Sequence, residues 1–238
     1  MKAILHKADS RGYANRGWLE AHHTFSFADY YNPDRMHFGV LRVLNDDRIA
    51  GGKGFDTHPH NNMEIITIPL SGALQHKDSL GNSAVIKAGE IQAMSAGTGV
   101  LHSEYNPNPD EEVSLLQIWL IPNKQNVEPR YDQISIEAIE PENGLKQILS
   151  PYTEDDGVWI HQNAWFHLGE FFETSESTYA LKEERNGVYL FVIEGEVQIQ
   201  DFKLEKRDGL AISETRKIRF KCKEKTKVLL MEVPMFEL

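Results

Sequence analysis

Three histidines and two carboxylates fall at alternate positions in two short stretches of this chain. The first runs from Gly52 through His58, Pro59 and His60 to Glu64; the second runs from Gly99 through His102 and Glu104 to Asn106. In an extended strand, side chains i and i+2 share a face. His58 and His60 therefore look the same way, and Glu64 joins them if the strand stays regular. His102, Glu104 and Asn106 repeat that parity. If both stretches line the inside of one small barrel, imidazoles and a carboxylate converge on a gap of metal size.

The elements around these stretches read as strands. Phe38 to Leu44 is an apolar run closed by the turn chemistry of Asn45-Asp46-Asp47. Further strands are expected from about Met63 to Leu70, Ala73 to Asp78, Ser83 to Lys87 and Ile91 to Met94, separated by the turns Ser71-Gly72, Ser79 to Asn82 and Ala88 to Glu90. Val113 to Ile121 is the longest apolar strand and suits the middle of a sheet. Short strands with no amphipathic helical run between them indicate an all-β barrel or sandwich. The aromatic-rich opening, with Trp18, Phe25, Phe27, Tyr30 and Tyr31, is expected to pack across a sheet and to cover the barrel mouth.

Pro122 begins a polar, turn-rich connection. Beyond it, Val188 to Gln198 resembles Glu64 to Gln75, each with a glycine-turn hairpin (Gly195, Gly72) and a later glycine (Gly209, Gly89) leading into a short apolar strand. That internal similarity suggests two stacked barrels from a duplication. We divide the chain into 1–125, an N-terminal metal-binding domain, and 126–238, a degenerate copy. No histidine follows His167, so the second copy cannot rebuild a three-histidine site.

The net charge of −11 argues against direct nucleic-acid binding, which needs clustered Lys and Arg. A single cysteine, Cys222, excludes an internal disulfide and a cysteine-rich zinc site. Neither a signal peptide nor a run of membrane-spanning length is seen, so a cytoplasmic protein is expected. Among the remaining histidines, His22 and His23 point to opposite faces of an extended segment, His161 and His167 belong to a core or interface, and His76 is expected on an exposed hairpin. Cys222 is expected to be an inert small apolar residue.

With these residues in hand, the sequence resembles the cupin superfamily and, within it, the pirin family. Gly52, His58, His60, Glu64 and Gly72 fill the first cupin signature, and Gly89, Gly99, His102 and Asn106 the second. His58-Pro59-His60 and Met94 to Glu104 are the pirin-specific marks. The resemblance implies two stacked jelly-roll cupin barrels and a metal held by His58, His60, His102 and Glu104, with Glu64 as a partner orienting a histidine. Such a ligand set favours one borderline divalent transition ion over magnesium or calcium. Fe(II) is expected, with Mn, Ni, Co, Cu or Zn as alternatives. Asn61-Asn62 stands where pirin-like sequences often have Arg-Gly, a departure that bears on substrate contacts.

Bacterial pirin-like proteins of this make-up resemble quercetin 2,3-dioxygenases. The implied reaction takes a flavonol and O2, removes the 3-hydroxyl proton with Glu104 or Glu64 as the nearest base, and releases carbon monoxide and a depside. The alternative the resemblance carries is a metal- and redox-sensitive protein partner that modulates transcription factors or other enzymes.

Overall fold

The computed structural model describes residues 1–235; residues 236–238 of the expected second domain lie outside them. The strand Val113–Leu120 is buried along nearly its whole length, only Trp119 being half-exposed. A strand buried on both faces must be covered on both. It sits in mid-sheet between Leu41–Ile49 and Glu64–Ser71. Its even positions Leu116, Ile118 and Leu120 join a core shared with Phe166, Leu168, Phe191, Leu229 and Met231 from the second half of the chain. Its odd positions Val113 and Leu115 pack with Leu19, Ile49 and Leu74 inside its own barrel.

Each barrel therefore closes a long sheet against a short one. The N-terminal long sheet runs Arg130–Ser135, Glu90–Ser95, Glu64–Ser71, Val113–Leu120, Leu41–Ile49, Leu19–His23 and Gly12–Asn15. Opposite it lie Gly54–His60, Val100–Tyr105, Ala73–Asp78 and Ser83–Lys87. The C-terminal long sheet has Lys2–His6 at one edge, then Gly209–Ser213, Asn186–Glu194, Thr226–Pro234, Trp165–Phe171, Leu145–Ser150 and Val158–Trp159. Its short sheet holds Ser175–Ala180, Lys217–Cys222, Glu196–Ile199 and Phe202–Glu205. There is no α-helix among the described residues. The all-β, two-barrel expectation is met.

The expected division at 125/126 is crossed twice. Lys2–His6 pairs with Gly209–Ser213 and closes an edge of the C-terminal sheet, while Arg130–Ser135 pairs with Glu90–Ser95 in the N-terminal one. An uncovered edge strand leaves a row of unpaired backbone groups, and each barrel caps one with a strand from the other half. Two anchors hold the N-terminal strand: His6 Nδ1 lies 2.9 Å from the Tyr189 hydroxyl, and the buried Asp208 carboxylate accepts the Ala8 N–H at 2.8 Å. Between the barrels, Asp46 accepts from Arg11 at 3.2 Å and pairs with Arg207 at 3.0 Å, a nearly buried ion triad.

Candidate metal centre

The two histidine-bearing stretches are neighbouring antiparallel strands with His102 directly opposite His58. The ring centroids of His58, His60 and His102 lie 4.9, 4.4 and 4.8 Å apart (58–60, 58–102 and 60–102). Each ring offers a nitrogen within 4.8 Å of the others. The register slips between His102 and Glu104, whose partners are His58 and Phe55, so Gly54–His60 carries one extra residue. Such a bulge re-aims side chains. It lets Phe55 and His58, three positions apart, line one cavity. Gly54 permits the close approach, since a Cβ there would collide with the Glu104 carbonyl oxygen.

Each ring is held. A carbonyl only accepts, so His58 Nδ1 donates to the Asp56 carbonyl at 2.8 Å and its Nε2 keeps a lone pair. His60 stands edge-on to Trp119 at 4.9 Å. His102 is 2 % exposed, and its Nε2 is buried with no hydrogen-bond partner among the described residues. Burial, reinforced by the neighbouring imidazoles, lowers His60 to about 4 and His102 to about 2. Both rings are neutral near pH 7, the state a metal ligand requires.

His76 is a correction to the sequence reading. It is fully buried and its Nδ1 lies 3.5 Å from His102 Nδ1. Leu74 shares its inward face in Ala73–Asp78, and that alternation was the available signal. Asp78 accepts from His76 Nε2 at 3.1 Å, from Asn82 Nδ2 at 2.8 Å, and from the backbone N–H groups of Leu80 and Asn82. Burial works against the Asp78 charge, but these hydrogen bonds outweigh it and hold the carboxyl below its ordinary range. His76 thereby donates its Nε2–H to the Asp78 carboxylate and turns the Nδ1 lone pair toward His102 Nδ1–H, which leaves His102 Nε2 bare.

Glu104 faces the barrel interior as its parity requires and is 4 % exposed. Gln117 Nε2 donates to both carboxylate oxygens at 3.0 Å, and Thr67 fixes that amide by donating to its oxygen at 3.2 Å. Burial raises the Glu104 pKa above the carboxylate norm. Its carboxylate lies within 4.8 Å of ring nitrogens of His76 and His102, whereas His58, His60 and His102 form their own group. His102 belongs to both.

Glu64 does not join them, and its expected place beside the histidines is corrected here. The strand breaks after His60: Asn62 takes a left-handed φ of 44°, and Glu64 begins a strand of the other sheet. Ile65, not Glu64, lines the cavity. Glu64 is buried, accepts from the Ser95 hydroxyl at 2.7 Å, and is pushed by burial up to about 7.

The histidines open on a cavity of about 390 Å³ whose walls include Trp18, Phe27, Phe55 and Trp119. Of the aromatics expected to cover the mouth, Trp18 and Phe27 line this cavity, whereas Phe25 packs in the core shared by the two barrels and Tyr31 is exposed. Asn45 and Asp47 line it too, although the sequence reading made them a turn. They lie inside Leu41–Ile49, where Val43, Asn45, Asp47 and Ile49 alternate toward the barrel interior. Another cavity, about 360 Å³, lies between the barrels near Pro69, Ile136 and Phe172 and is lined by none of the metal-ligating groups found among the described residues.

Two metal-binding-type β-barrels back to back, one with its histidines and one without, define a two-domain cupin. Residues 5–120 match the Pirin family and residues 147–233 the quercetinase C-terminal cupin domain, and the chain belongs to the pirin family. It is 43% identical over 230 residues to the quercetin 2,3-dioxygenase of Escherichia coli, covering 97% of this chain and 98% of that one. It is 38% identical over 226 residues to a pirin-like protein of Caulobacter vibrioides, covering 94% and 96%. The crystal structure of the bacterial pirin YhhW from Escherichia coli in complex with nickel(II) superposes with a TM-score of 0.92 at 41% identity, covering 99% of this chain and 100% of that one. The inward imidazoles and the unpartnered, buried His102 Nε2 fit a single divalent transition ion.

Proposed function

We propose that this chain is a metal-dependent dioxygenase of quercetin-type flavonols, with His58, His60, His102 and Glu104 holding one divalent transition ion. The observation that carries the reading is the orphaned His102 Nε2 among two other imidazoles in the wall of a cavity that aromatic side chains also line. His76 is not among the proposed ligands, because Asp78 and His102 already engage its two nitrogens. When bound, the ion, Fe(II) in our reading, would supply Lewis acidity and redox chemistry toward O2.

The chain's own residues do the rest. Trp18, Phe27, Phe55 and Trp119 accept a flat polyphenol and exclude water from it. Glu104, which lines the cavity beside the histidines, takes the proton of the 3-hydroxyl. Gln117 keeps that carboxylate oriented through both oxygens. Ring opening of the flavonol with O2 then yields carbon monoxide and a depside.

The test uses apoprotein reloaded with Fe(II) and, in parallel, with Ni(II), followed by flavonol absorbance under oxygen and by carbon monoxide release. Saturable, metal-dependent loss of absorbance is expected. Absence of metal-dependent loss with either ion rejects the proposal.

A further inference from the structure

Asp47 lines the same cavity as His58, His60 and His102 and is 5 % exposed, yet its Oδ1 has no hydrogen-bond partner among the described residues. Two polar residues that share the cavity wall are satisfied: Asn45 Oδ1 lies 2.9 Å from His23 Nδ1, and Glu104 is held by Gln117, whereas His102 Nε2 and Trp119 Nε1 are, like Asp47 Oδ1, without a partner among the described residues. The difference is one of facing. Asp46, on the opposite side of the strand, meets Arg11 and Arg207, whereas Asp47 forms no ion pair among the described residues. Burial, with Asp46 and Glu104 adding to it, pushes the Asp47 carboxyl well above its ordinary range. An unpartnered buried carboxyl costs stability. An apolar residue at this site would pack with Leu115 and Ala21, its cross-strand neighbours, at no such cost.

We propose that Asp47 is the substrate-anchoring residue of the cavity, reserved for a hydroxyl group of a flat aromatic ligand. A hydroxyl both donates and accepts, so it completes a carboxyl in either protonation state. A bare ring edge would leave the carboxyl unpaired, so the site selects hydroxylated rings over bare ones. This inference rests on the flavonol reading and deepens it, since it makes hydroxylation of the ligand a requirement of the cavity.

The test measures binding apart from turnover. Ni(II)-loaded wild type, D47N and D47L are titrated without oxygen with quercetin and with unsubstituted flavone, reading quenching of the chain's tryptophan fluorescence, to which Trp18 and Trp119 in the cavity wall contribute. D47L is expected to bind quercetin about tenfold more weakly, the effect of one buried hydrogen bond of this kind, and flavone within about twofold of wild type. D47N, which keeps the shape, loses less. Because no bond within the protein is removed, the ligand-free melting temperatures of both variants stay at or above wild type. Unchanged quercetin binding in D47L overturns the inference alone. Equal weakening toward both ligands, or lowered melting temperatures with no ligand effect, shows a structural role and also overturns it. A wild type that binds neither ligand overturns the flavonol reading and this inference with it.

Discussion

Replacing Glu64 by glutamine separates a buried structural acid from a member of the metal centre. Burial lifts the Glu64 carboxyl from 4.5 to about 7. At about 1.4 kcal/mol per pH unit, that difference penalises the folded, ionised form by about 3 kcal/mol. The sign follows from which state lets go of its proton first. Between pH 4.5 and about 7 the unfolded chain has ionised while the folded chain retains its proton, so stability falls as pH rises through that window and levels off above it. Glutamine resembles the protonated acid and does not titrate. After allowing about 1 kcal/mol for a poorer bond to Ser95, the E64Q apoprotein should be about 2 kcal/mol more stable than wild type at pH 8. At pH 4 it should be equal or slightly less stable. Urea unfolding of both apoproteins at the two pH values reads this directly, alongside metal content after reloading. A stability difference that does not change with pH, or a glutamine variant that no longer takes up metal, would refute the placement of Glu64 away from the histidines.

Other consequences follow from the same geometry. H76F removes the acceptor that orients His102 and should weaken Ni(II) binding by about 10- to 100-fold in a chelator competition. H76Q, whose side-chain oxygen can accept from His102 Nδ1–H, should lose less. D46A strands Arg11 and Arg207 between the barrels and should cost about 3 to 5 kcal/mol in urea unfolding, while metal stoichiometry in the N-terminal barrel stays at the wild-type value.

Alternation within single strands made much of this fold legible. His58 and His60, and His102 with Glu104, kept the parity that two-residue spacing requires, and Val113–Leu120 took the mid-sheet position its apolar run implied. What escaped was set by contacts distant in sequence. Glu64 left the histidine face because the chain turns at Asn62 and changes sheets, which no spacing rule records. Asn45 and Asp47 read as a turn because such residues are depleted in strands. Here a cavity, not solvent, receives them. His76 read as exposed beside Lys77 and Asp78, yet Asp78 turns inward because four hydrogen bonds satisfy it there. The exchange of edge strands between the barrels left no local trace, since pairing with the far end of the chain changes nothing in the alternation of Lys2–His6.

Metal stoichiometry of the reloaded protein bears most directly on the whole account. Wild type should hold one divalent ion per chain, and H60A and H102A, checked for retained β-structure, should each hold far less than one at the same free-metal concentration. Folded H60A and H102A that still bind a full equivalent with wild-type affinity would contradict it.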